Sequence, residues 1–146
     1  MKVLFGTAAA LLLVVFAAGC GETPKYGLTD GEWVMTSWTT DAGEEMVVTQ
    51  NCPTMLFGSG SELTGNAGCN NFSGRYELDG DKITINLGAM NMRMCMDMTV
   101  EDRVLRQMPN VVSFEIDGNQ LLLFNKEKKE LFRFDNAVAL MENTYE

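Results

Sequence analysis

The hydrophobic and polar positions of this chain repeat mostly with period two. Ile83, Ile85 and Leu87 alternate with Lys82, Thr84 and Asn86, and Val112, Phe114 and Ile116 alternate in the same way. Side chains on an extended chain point to opposite faces in turn, so each such run predicts a strand with one face buried. Further strands are predicted at Trp33 to Trp38, Met46 to Thr49, Thr54 to Phe57, Glu62 to Gly65, Phe72 to Leu78, Leu121 to Asn125 and Glu130 to Phe134. Asp79-Gly80 and Asp117-Gly118 fall between such runs, where residues tolerant of positive φ close antiparallel hairpins.

One segment has a helical period instead. After Asp97 or Thr99, either of which can cap a helix, Val100, Val104, Leu105 and Met108 recur at helical spacing, while Glu101, Asp102, Arg103 and Arg106 fall elsewhere. Acids in the first turn, Arg106 near the end and Pro109 as a stop agree with the helix dipole and with proline's missing N–H. About nine short strands and one late helix predict an α+β, mainly β class. The expected architecture is a partly open antiparallel barrel, or curved sheet, covered by that helix.

The first nineteen residues do not fit this scheme. Lys2, an apolar run from Val3 to Phe16 and the small residues Ala17, Ala18 and Gly19 before Cys20 have the form of a lipoprotein signal peptide. As a helix Val3 to Gly19 would span roughly 25 Å, short of the ~30 Å hydrocarbon core, which argues against a retained anchor. The expectation is cleavage before Cys20, lipid on that cysteine, and a place in the cell envelope, with Gly21 compatible with the outer membrane. The organisation expected is a signal over residues 1–19, the lipidated cysteine and a tether over 20–30, a domain over 31–135 and a tail over 136–146.

With 11 basic and 20 acidic residues the chain carries a net charge of −9, and its one dense basic run, Lys126 to Lys129, is broken by Glu127. Nucleic acid is therefore not an expected partner. The chain has no histidine and no C-x-x-C pair, so a zinc site of the usual spacing is not expected. Hydrolytic chemistry also lacks candidates. Glu44-Glu45 and Glu101-Asp102 are adjacent acids whose side chains point apart, no G-x-S-x-G elbow is present, and no thiol has a histidine beside it. The expectation is a non-catalytic protein without a cofactor.

Excluding Cys20 leaves Cys52, Cys69 and Cys95, for which one disulfide and one free thiol is the simplest count in an oxidising compartment. Gly65, Gly68 and Gly74 could expose backbone N–H groups to an anion, but a tight turn and a strand bend account for them as well.

The least ordinary feature is Met90, Met92, Met94, Met96 and Met98, five methionines at period two. As a strand they would share one face, opposite Asn91, Arg93, Cys95 and Asp97. Methionine fills irregular cores well, so that face is expected in the interior or lining an apolar contact for a ligand or envelope partner. Met92, Met94 and Met96 would form this contact with Val104, Leu105 and Met108 of the helix. The alternative is a Cu(I) site, because a row of thioethers suits a soft cation.

Gly65-Asn66-Ala67-Gly68-Cys69-Asn70-Asn71-Phe72-Ser73-Gly74, followed by Tyr76, resembles the signature of the META-domain family, the HslJ-like heat-shock lipoproteins. Arg93-Met94-Cys95 is similar to the family's Arg-Met-x-Cys segment, shortened by one residue or read instead as Met92-Arg93-Met94-Cys95. Glu101 matches its helix acid, Gly31-Glu32-Trp33 its opening tryptophan, and Leu121 to Leu123 with Leu131 to Phe134 its closing hairpin. The resemblance implies a partly open barrel with one helix, in envelope lipoproteins linked to stress, with no established reaction. It also implies a Cys69–Cys95 disulfide, with Cys52 left over; a bond from Cys52 to either of them is the alternative.

Overall fold

The structure is a computed structural model that describes residues 24–142 and 144. Cys20 and the expected signal peptide lie outside the described residues. Nine strands form: β1 (Glu32–Thr39), β2 (Glu45–Val47), β3 (Thr54–Phe57), β4 (Glu62–Asn66), β5 (Asn71–Asp79), β6 (Lys82–Met90), β7 (Ser113–Asp117), β8 (Gln120–Phe124) and β9 (Glu130–Asn136). Helix α1 (Thr99–Gln107) lies between β6 and β7 and runs into a 3-10 turn at Met108–Asn110. A second helix, α2 (Ala137–Glu142), ends the fold.

Every neighbouring pair is antiparallel, and β1 also pairs with β9, so the sheet returns on itself as a ring. β3 occupies one half of β1's other edge and β2 the second half. The ring is weakest between β6 and β7, joined in register only at Lys82 and Ser113, which is where the chain leaves to make α1. The expected class and the helix crossing over from this opening are therefore observed. Gly80 and Gly118 turn the two predicted hairpins with φ of 63° and 58°. Gly74 is required where β5 meets β6, because a Cβ there would collide with the Asn86 carbonyl.

Inward positions fill the ring with Trp33, Met35, Met55, Phe57, Leu63, Ile83, Leu121, Leu123, Phe132 and Phe134. Phe57 meets Tyr76 edge to face at 5.0 Å, and the Tyr76 hydroxyl donates to the Gly58 carbonyl at 2.6 Å. This burial raises the Tyr76 pKa.

Two boundaries differ from expectation. The fold begins before Gly31: Leu28 is buried, the Trp33 indole donates to the Leu28 carbonyl at 2.8 Å, and Lys25 N–H bonds to Gly118 O at 2.9 Å. At the other end α2 packs on β1 and β9 with Ala139 buried, where only a tail was expected.

Candidate functional site

The loop from β4 to β5 organises one end of the ring. Gly68, at φ 126°, turns the chain so that the N–H groups of Cys69 and Asn70 aim at one point. That point is the Glu101 carboxylate on α1. One of its oxygens accepts from Cys69 N at 2.9 Å and Asn70 N at 2.6 Å, and the other from the Asn70 side-chain amide at 2.7 Å. The glycine-rich loop is thus an anion nest filled by the chain's own acid, which is 2% exposed.

Asn70 works in two directions. Its amide also donates to the Arg93 carbonyl at 3.0 Å and its side-chain oxygen accepts from Arg93 N–H at 2.6 Å, so it holds that residue's whole peptide edge. The Arg93 guanidinium returns to the Cys69 carbonyl at 2.8 Å. Cys69 and Cys95 are joined in a disulfide with Cα atoms 6.1 Å apart, leaving Cys52 free and half-buried.

These bonds anchor residues 91–98 at alternate positions. Asn91 bonds Asn71 through both its backbone N–H and its side-chain oxygen, Arg93 and Cys95 are held as above, and the Asp97 carboxylate accepts from Thr99 N–H at 2.9 Å. Hydrogen bonds from Thr99, the backbone one first, hold the Asp97 carboxyl below its usual range. The even positions between the anchors carry the methionines. Met92, Met94 and Met96 are 96%, 92% and 108% exposed, while Met90 and Met98 are half-buried at the two ends.

This placement corrects the expected Met strand. β6 ends at Met90, and the segment beyond it belongs to no strand and bends at Met96, because β5 starts at Asn71 and offers no further backbone to pair with. Without a sheet there is no interior face, so the three central methionines are not core.

The expected single contact of Met92, Met94, Met96, Val104, Leu105 and Met108 also divides. Val104 on α1 and Met108, four residues on at the start of the 3-10 turn, are each 1% exposed in the core. Leu105, one position round, is 41% exposed and lines an open cleft of about 400 Å³ with Met90, Met92, Met94 and Met98. Asn70, Arg93 and Glu101 form its floor.

A second lock seats α1. Arg103, expected on the polar side, is 4% exposed; it bonds Asp41 at 2.7 Å and the Thr39 carbonyl, and lies 5.1 Å from the Trp38 ring centre. Its hydrogen bond, and then its charge, lower the Asp41 pKa. Sequence periodicity marked both Glu101 and Arg103 as surface positions; the family-like helix acid was the only signal for Glu101, and none marked Arg103.

Among the described residues no three or more His, Cys, Asp or Glu side chains gather into a metal site. Cys95, tied to Cys69, has no thiolate to offer, and the Cys52 thiol faces the Val48 carbonyl at 3.8 Å. The donors left on the surface of this loop are the thioethers and the Asp97 carboxylate, which already accepts from Thr99 N–H.

The model of the META domain matches residues 26–138. Among solved structures, an NMR structure of a protein from Burkholderia xenovorans is 20% identical with a TM-score of 0.58, the match covering 94% of this chain and 98% of that one. A crystal structure of a DUF4847 family protein from Bacteroides vulgatus is 16% identical with a TM-score of 0.54, covering 74% and 93%. A further NMR structure is 22% identical with a TM-score of 0.57, covering 75% and 91%. At these identities the likeness is one of fold. No curated protein matches the chain.

Proposed function

The chain belongs to the META domain family, and we propose that it is a non-catalytic lipoprotein of the cell envelope whose Met92-Met94-Met96 ridge docks an apolar segment of a partner protein. Three fully exposed methionines on a loop anchored at every intervening residue carry this reading. Exposed apolar clusters are disfavoured unless something covers them. Methionine's flexible, polarisable side chain suits a surface that must fit varied partners, in keeping with a stress-response role. The ring interior is filled by apolar side chains, which supports a contact outside it, on the ridge and the cleft beside Leu105.

In this reading lipid on Cys20 tethers the domain at the outer membrane. Cys20→Ala would then move the protein to the soluble fraction, and continued membrane retention would contradict the tether. Docking is tested by placing a photo-crosslinking amino acid at Met94 and, as a control, at Leu78, an exposed apolar position on β5. The proposal expects discrete crosslinked species from position 94 alone, weakened when Met92 and Met96 are changed to Gln. Identical patterns from both positions would refute it.

A further inference from the structure

Surface methionines are also ligands, and the geometry of residues 91–98 bears on what they hold. We infer that Met92, Met94 and Met96 form a binding site for a soft monovalent cation, Cu(I), a cargo that goes beyond partner docking and does not rest on it. Three observations converge on the same loop.

First, the three thioethers are free of the protein body while Asn91, Arg93, Cys95 and Asp97 carry its attachments, so the sulfurs can move without unfolding anything. Even on a fully extended chain alternate residues lie no more than about 6.6 Å apart. Methionine's three rotatable side-chain bonds allow neighbouring sulfurs to close on one ion. Met90 and Met98, half-buried at either end, line one cleft with Met92 and Met94, and Met96 stands outside it.

Second, nitrogen and thiolate donors are missing: the chain has no histidine, Cys95 is in its disulfide, Glu101 has both oxygens occupied, and the exposed Asp97 carboxylate accepts from Thr99 N–H. A site of neutral thioethers alone selects Cu(I) or Ag(I) and discriminates against Zn(II) and Cu(II), which prefer nitrogen, thiolate or harder oxygen donors. Third, thioethers carry no proton, so a site made of them holds its ion without proton release, unlike one of Cys or His. The chain's net charge of −9 favours approach of a cation.

The test is anaerobic titration of the full chain, in detergent, with Cu(I) held by the chromophoric chelator bicinchoninate. A Cys52→Ser background removes the free thiol. The inference expects one Cu(I) drawn from the chelator per chain, equally at pH 5 and pH 7. In an Ag(I) titration the 13C methyl signals of Met92, Met94 and Met96 are expected to shift together. Met92→Leu, Met94→Leu, Met96→Leu is expected to abolish the competition with unchanged thermal unfolding, since all three side chains are exposed. Leu preserves an apolar ridge, so loss of Cu(I) binding in the triple variant, with crosslinking from position 94 unaltered when Met92 and Met96 are changed to Leu, would separate the two proposals. No withdrawal of Cu(I) by the protein, or equal withdrawal by the triple variant, would overturn the site.

Discussion

Replacing Glu101 tests how the ridge is held. With Glu101→Ala, the N–H groups of Cys69 and Asn70 and one donor of the Asn70 amide lose their acceptor in a buried place. An unsatisfied buried donor costs about 1–3 kcal/mol, so even at the low end, with the lost packing, the variant should be destabilised by about 4 kcal/mol. Glu101→Gln is expected to cost about 2 kcal/mol. Its amide oxygen can keep both backbone donors, but its NH2 then faces the NH2 of Asn70. Asn70 cannot flip to relieve this, because Arg93 N–H and C=O already fix which way round it sits. For a domain of this size these costs lower Tm by about 8 °C for Gln and about 15 °C for Ala. Thermal and urea unfolding of the oxidised protein measure both, with Glu77→Gln on an exposed strand position as the control. If Glu101→Ala unfolds within about 0.5 kcal/mol of the parent, or Gln is as costly as Ala, the nest is not what seats the loop.

Two further outcomes follow from the same geometry. The Cys69–Cys95 bridge closes a 26-residue separation, so changing both cysteines to Ser should cost about 3–4 kcal/mol in the chain-entropy model, read as a lower urea midpoint; an unchanged midpoint would mean that the hydrogen bonds alone constrain the loop. The carboxyls of Asp41, Asp97 and Glu142 are each held below their ordinary values, by Arg103, Thr99 and Lys25 respectively. A carboxyl whose folded pKa is depressed contributes stability that is present above its unfolded pKa and lost as pH falls through the folded one. Stability should therefore decline below about pH 4. Asp41→Asn should be less stable than the parent at pH 7 and no different near pH 2, and a gap that persists in acid would rule out this linkage.

Elements with a strong period were legible in the sequence. All nine strands and α1 were expected, because alternation and the Val100-Val104-Met108 spacing reflect an inward face in every one of them but β2, whose three residues are exposed. Asp79-Gly80 and Asp117-Gly118 were legible as turns because their glycines need positive φ. Short or aperiodic pieces were not. Leu28 is a lone apolar residue in a polar stretch, and α2, at six residues, is too short to show a helical face.

The candidate site was half legible. Its methionines stood out, but alternation alone cannot say whether a partner strand exists beside them, and here β5 begins too late to provide one. Glu101 and Arg103 read as surface charges because periodicity reports hydrophobicity. Their burial comes from hydrogen bonds to loops distant in sequence, at residues 69–70 and 39–41.

Both proposals depend on the three central methionines standing in water while others fill the core. The most direct measurement is the bleaching of assigned 13C-methyl methionine signals by a soluble gadolinium chelate, with the Cys69–Cys95 bond intact. The account predicts strong bleaching of Met92, Met94 and Met96, intermediate bleaching of Met90 and Met98, and near-complete protection of Met35, Met55 and Met108. Protection of Met92, Met94 and Met96 equal to that of Met55 would place the ridge in the core and contradict the binding surface built on it.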